Sequence, residues 1–307
     1  MEGLKRFYDQ NRKGIWIAVI VIALFIILLQ LINSFVADEN ENNTNSMNLN
    51  SSTVNTGNRN VTVTSGNTSA LGESVSKASV EKDSQVITAF FDSLNNGKLE
   101  DAFNMLTDEC KEEMFSTADD LREYYYNNIF DGERKSFEIE NWANKTYKVD
   151  IVPDMLATGK SNNDEVMQDY ITVNNGKLNI NNYIGRTNIE KSKEKDGVTI
   201  TVNYKDTYME YEKYNITVQN NGKTGITLDS LDNPDTMYIE DRNEVKYSSY
   251  NHELTKEQMT TNVGETSTIE IKYYSTYEST KDIRRVVFSD FNNGKYNDEK
   301  EEFIINI

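Results

Sequence analysis

Residues 170–184 read YITVNNGKLNINNYI, and this stretch decides how the chain folds. Its middle, Val173-Asn174-Asn175-Gly176-Lys177-Leu178, places Asn-Gly at the two central positions of a tight turn. Asn and Gly tolerate positive φ at both positions, which a type I′ hairpin requires. That register sets Asn174 opposite Lys177, Val173 opposite Leu178, and Ile171 opposite Ile180. The four apolar residues then share one face, so turn chemistry and alternation agree. The same parity carries Asp169 onto that face, opposite Asn182 at the open end of the hairpin.

Upstream of the hairpin the period is first helical and then two. Val80, Ile87, Phe91 and Leu94 recur at helical spacing, with Val86 and Phe90 widening the stripe. Asn95-Asn96-Gly97 is a helix stop. A short helix with Leu99, Ala102, Phe103 and Leu106 follows. Thr107 is then an N-cap, with Asp108 and Glu109 in the first turn. Thr117-Ala-Asp-Asp120 forms a capping box. It opens a helix with Leu121, Tyr125 and Ile129 apolar, which Asp131-Gly132 ends. After Gly132, Phe137 and Ile139, then Tyr147, Val149 and Ile151, alternate with charged residues.

Downstream, from Gly185 on, no helical period remains. Short alternating segments recur at Val198-Ile200-Val202, Tyr214-Ile216-Val218, Met237-Ile239, Ile269-Ile271-Tyr273 and Val286-Phe288. Turn signals such as Asn220-Asn221-Gly222 and Asp232-Asn233-Pro234 separate them. Short strands at this spacing predict a β-sandwich over 185–307.

The N-terminal end reads differently. Ile15–Leu29 is an unbroken apolar run, IWIAVIVIALFIILL, and Gly14–Ala37 holds no charge. Roughly 20 apolar residues span a bilayer core. A transmembrane helix is therefore expected at 15–36, contacting lipid from Ile15 to Val36. Lys5, Arg6, Arg12 and Lys13 precede it, which predicts a cytoplasmic tail at 1–14 and a chain that is extracellular beyond it. Phe35-Val36-Ala37 is a poor cleavage site, so the segment reads as an uncleaved anchor. Residues 37–78 are rich in Asn, Ser and Thr, without an apolar period, and read as a disordered linker.

Composition removes several functions. The formal net charge is −18, which argues against a nucleic-acid partner, because phosphate contacts need basic patches. Cys110 and His252 are the single cysteine and the single histidine. Hence no internal disulfide, no His-rich metal centre and no zinc site can be built. A triad could use only His252, and a dyad would have to join it to Cys110, which reads as a small packed hydrophobe. The Asn-Gly pairs are turns rather than a phosphate loop. Calcium is the least excluded metal, through the acidic run Asp229, Asp232, Asp235, Glu240, Asp241 and Glu244. Neither metal nor cofactor is expected.

Three helices followed by antiparallel strands over 79–184 resemble the NTF2-like superfamily. The residues that carry the likeness are SQVITAFFDSLNNGKLEDAFNML, LREYYYNNIF and YITVNNGKLNINNYI. The resemblance implies an α+β cone, which can hold a small-molecule pocket with a carboxylate base. Asp169 would be that carboxylate, with Phe91, Phe103, Tyr125 and Tyr147 lining the pocket. The stretch from Asn215 to Tyr250 resembles the Ig-like sandwiches of bacterial surface proteins. One cysteine and many Asn, Lys, Ile and Tyr resemble the usage of a Gram-positive bacterium with an AT-rich genome.

The expected fold is thus an NTF2-like α+β cone at 79–184 plus an all-β Ig-like sandwich at 185–307, behind one transmembrane helix and a linker. The expected protein is a single-pass cell-membrane protein, non-enzymatic, acting as an adaptor or scaffold for other envelope proteins. Single-span proteins with NTF2-like ectodomains are similar to accessory parts of conjugation or secretion assemblies. The alternative is a ligand-binding or enzymatic cone built on Asp169. As an adaptor residue, Asp169 is expected to be partly solvated at the hairpin mouth.

Overall fold

The computed structural model describes residues 61–64, 69–159, 166–294 and 301–307. A five-stranded sheet runs in the order β1 (Val61–Thr64), β2 (Lys135–Ala143), β3 (Thr146–Pro153), β4 (Met167–Asn174), β5 (Lys177–Asn179). β4 and β5 form the hairpin, with Val173 opposite Leu178 and Asn174 opposite Lys177. Asn175 and Gly176 take φ of +51° and +81°, the left-handed pair that a type I′ turn needs. A Cβ on Gly176 would meet no atom within 4 Å. Gly176→Val therefore tests the backbone alone, and it is expected to cost about 2 kcal/mol in urea unfolding. An unchanged midpoint would show that the turn does not hold the hairpin.

The helical layer packs on one face of this sheet. Helix α1 (Lys77–Asn95) buries Val80, Ile87, Phe90, Phe91 and Leu94. Its end is pinned by Asn95, whose side chain donates to the Lys135 carbonyl and accepts from the Lys135 N–H, both at 2.9 Å. Helix α2 (Leu99–Asn104) leads into a segment that lies along β5, with bonds from Thr107 N to Leu178 O and from Leu178 N to Met105 O. Thr107 caps α3 (Asp108–Glu113), accepting from the Cys110 N–H. Thr117 and Asp120 exchange the two capping-box bonds at α4 (Ala118–Asp120).

The chain then continues through Leu121–Phe130 as a π-helix, not as the expected α-helix. Its i→i+5 winding brings Tyr125 and Phe130 to the same side. Phe130 is buried, while Ile129 stays half-buried.

Strand β6 (Tyr183–Lys195) continues past residue 185, with its register to β7 shifting between Tyr183 and Gly185, and the described residues fall in one compact unit. β6 pairs with β7 (Val198–Tyr208), and β7 with β8 (Glu212–Asn220). β9 (Ile226–Thr227), β10 (Met237–Asp241), β11 (Lys246–Ser248), β12 (Thr260–Thr261), β13 (Thr266–Tyr273), β14 (Ile283–Phe291) and β15 (Glu301–Asn306) follow. One sheet has the order β13-β8-β7-β6 and another the order β11-β10-β14-β15, while β9 and β12 pair with each other. Ile200, Val202, Ile216 and Ile271 from the first sheet share a core with Ile239, Val286, Phe288 and Phe303 from the second.

Three expectations are corrected. The fold class, an α+β cone and an Ig-like sandwich behind a membrane helix, gives way to a chain that is mostly β-sheet. The single-pass cell-membrane localisation falls with it, because among the described residues no helix is long and apolar enough to cross a membrane. The longest, α1, has 19 residues and is amphipathic, interrupted by Lys77, Glu81, Lys82, Asp83 and Asp92. Residues 1–14 and 15–36, on which the tail and the spanning helix were expected, lie outside the described residues. The linker expected over 37–78 is not without structure either. Val61–Thr64 adds a parallel strand to β2, with Val61 and Val63 buried, because Val-Thr-Val-Thr has period two and matches the sheet face.

Candidate functional site

Asp169 sits on β4 with the parity of Ile171 and Val173 and therefore faces the core. It is 2% exposed, not partly solvated as expected. Tyr125 Oη donates to its Oδ2 at 2.8 Å, the Asn181 N–H to Oδ2 at 3.0 Å, and the Asn182 N–H to Oδ1 at 2.9 Å. Asn181 and Asn182 have φ of +60° and +62°. Two consecutive left-handed residues turn both N–H groups to one side, making a small anion cradle. Burial pushes the Asp169 carboxyl above the usual range, and the donors pull it down without outweighing burial.

Of the aromatic residues expected to line a pocket, Phe91 and Tyr125 pack in the core beside Asp169. Phe90 packs edge-on to Phe91 and to Tyr125, and Phe115 packs on Tyr125. Phe91 stacks on Phe137 with centroids 4.8 Å apart. Tyr147 is buried elsewhere, donating to Asp83 Oδ2 at 3.0 Å. Phe103 is only half-buried, with the Lys111 ammonium 4.8 Å from its ring centre. Asp169 and Tyr125 thus meet through a hydrogen bond, and Phe91 joins them through Phe90. Phe103 and Tyr147 belong to other contacts. The oxygens of Asp169 thus accept from three internal donors.

A second group of charges lies where the helical layer meets the long strands, and sequence reasoning did not find it. Asp206 on β7 is fully buried. It receives the Tyr183 hydroxyl at 2.7 Å and a two-pronged grip from Arg186 Nε and Nη2, each at 2.9 Å. The same guanidinium donates to Glu112 Oε2 at 2.8 Å and lies 3.9 Å over the Tyr204 ring. Glu113 beside it takes the Tyr208 hydroxyl and the Lys213 ammonium. Burial opposes the charge on Arg186, but the bonded Asp206 overcomes this and raises its pKa. Helix α3 is thereby clamped to β6, β7 and β8.

The remaining chemical candidates stay apart. Cys110 is buried on α3, and burial pushes its thiol up to about 12, so it is no thiolate nucleophile at neutral pH. His252 is exposed, beside Tyr250. The acidic run 229–244 disperses. Asp229 accepts from Leu231 N, Asp235 from the Ser248 hydroxyl, Glu240 from Arg285, and Asp241 from the N–H groups of Asn243 and Val245. Among the described residues no group of three or more His, Cys, Asp or Glu is placed to hold a metal ion.

No family model matches the chain, and no curated protein matches it. One solved structure, of MPT63, a secreted protein from Mycobacterium tuberculosis, is 14% identical to it. That likeness covers 39% of this chain and 93% of that one, with a TM-score of 0.24. A likeness at that score supports neither a fold family nor a function.

Proposed function

We propose that this protein is a non-enzymatic adaptor that holds other envelope proteins through its surface, as an accessory to an assembly of the conjugation or secretion kind. One observation carries the reading: Asp169 and Asp206, both buried, and the half-buried Glu113 are taken up by internal partners. Asp169 is held by Tyr125 and two backbone N–H groups. Asp206 is held by Tyr183 and Arg186, and Glu113 by Tyr208 and Lys213. Groups spent in this way stiffen a scaffold. The net charge of −18 favours basic protein surfaces over nucleic acid as partners.

Chemical cross-linking of the protein in the cells that produce it tests the reading. Discrete conjugates with other proteins are expected. The opposite result would be no protein conjugate, together with a small molecule that raises Tm in the wild type but not in Asp169→Asn. That would overturn the adaptor and favour a ligand-binding core.

A further inference from the structure

Strand β13 is the edge of its sheet, bridged on its outer side only at Tyr273, by Ser249, among the described residues. Backbone groups of successive residues point to opposite sides of a strand. The Lys272 carbonyl accepts from Tyr250 N, and Tyr274 N donates to the Ser248 carbonyl. The even-numbered residues therefore face away from β8. The odd-numbered ones face it, as the bond from Asn220 N to the Glu265 carbonyl also shows. Among the described residues, the main-chain groups of Thr268 and Glu270, and the N–H of Lys272, thus meet no backbone partner on the outer side. Their side chains lie on the solvent face, while Ile269 and Ile271 point into the core.

Alongside this edge runs a groove of about 500 Å³. Its far wall is the segment from Tyr250 to Thr260, with Leu254 as the apolar element and Glu253 and Glu257 as charges. Glu253 is engaged by Lys272, and Glu270 by Lys213. Glu257 is exposed and has no cation within ion-pair distance among the described residues. An open strand edge beside a walled groove is the geometry in which an extended peptide adds a strand.

We infer that the β13 edge is a docking site for an extended segment of a partner protein, paired to Thr268 and Glu270 and presenting a Lys or Arg to Glu257. The inference rests on the adaptor reading and names the chemistry of one partner. The free carboxylate selects a basic occupant. A second copy of this strongly acidic chain is disfavoured by its own charge.

The probes are two capped heptapeptides in which valine alternates with threonine, with lysine or glutamate at the central outward position. They are titrated into the full chain, with hydrogen exchange followed at single amides. The lysine peptide is expected to bind and to protect the Thr268 and Glu270 amides, which exchange freely without it, and the glutamate peptide is expected not to bind. Thr268→Pro removes one outward N–H and no bond to β8. It should weaken binding about tenfold, and Glu257→Lys should reverse the peptide preference.

Absence of binding by the lysine peptide overturns the inference. So does binding that leaves these amides exchanging, or binding that Thr268→Pro does not weaken. A dimer that protects the two amides without peptide would make a second copy the occupant and likewise overturn it. None of these results affects the cross-linking test, so this site can fail while the adaptor reading stands.

Discussion

Asp206→Ala is expected to destabilise the protein by about 3–5 kcal/mol, and Arg186→Met by a similar amount, because each leaves a buried charge without its partner. Asp206 is fully buried, and Arg186 is 12% exposed at its side chain. The pair has the two-pronged geometry in which guanidinium and carboxylate match best. An Arg186→Met/Asp206→Ala double variant should cost less than the sum of the singles by about 1–3 kcal/mol, since the second change removes the charge that the first exposed. Urea unfolding of the four proteins reads the cycle. Simple additivity, or single variants within 1 kcal/mol of wild type, would show that the pair is not coupled. The consequence reaches beyond stability. Arg186 also holds Glu112, and Lys213 and Tyr208 hold Glu113. Loss of Asp206 should therefore free α3 from the strands and speed proteolysis there before it opens the β7–β8 core.

What could be read from the sequence follows the range of the interactions. The hairpin at Asn174–Lys177 was legible because its turn chemistry and its alternation lie within six residues and agree. The caps at Thr107 and Thr117 were legible for the same reason, each bond closing over three residues. Strand β1 was hidden, because four residues of Val-Thr-Val-Thr lie in a polar stretch and find their partner more than 70 positions later, at β2. β6 was hidden by its own exposure. Beyond Gly185 its side chains are half-buried or exposed, so no apolar alternation marks the strand. The Arg186–Asp206 clamp had no local signal at all. Glu112, Arg186, Asp206 and Lys213 each read as an ordinary solvated charge, and only the pairing of β6, β7 and β8 beside α3 brings them together. Asp169 lies between these cases. Its inward parity was readable from Ile171 and Val173. The left-handed backbone at Asn181 and Asn182, which folds two N–H groups onto it, was not.

Asp169 therefore offers the second large effect and a sign that can be checked. Asp169→Ala strands the Tyr125 hydroxyl and the N–H groups of Asn181 and Asn182 away from water. At about 1–3 kcal/mol for each unsatisfied buried group, partly offset by removal of a desolvated charge, a net loss of about 3 kcal/mol is expected. Asp169→Asn keeps the volume and part of the hydrogen bonding and should lose less. The pH dependence separates the two forces on the carboxyl. Burial raises its pKa in the folded protein above the ordinary value of 3.8. Between these two values the folded state holds more protons than the unfolded state, so wild-type stability falls as pH rises. The stability contributed by the neutral group is fully present below about 3.8 and is lost as pH climbs through the raised folded value. Asn does not titrate. The gap between wild type and Asp169→Asn should accordingly be wider at pH 4 than at pH 8 in matched thermal melts. A gap that widens toward pH 8 would mean that Tyr125 and the two N–H donors outweigh burial. Asp169 would then be a stabilising anion held by its cradle.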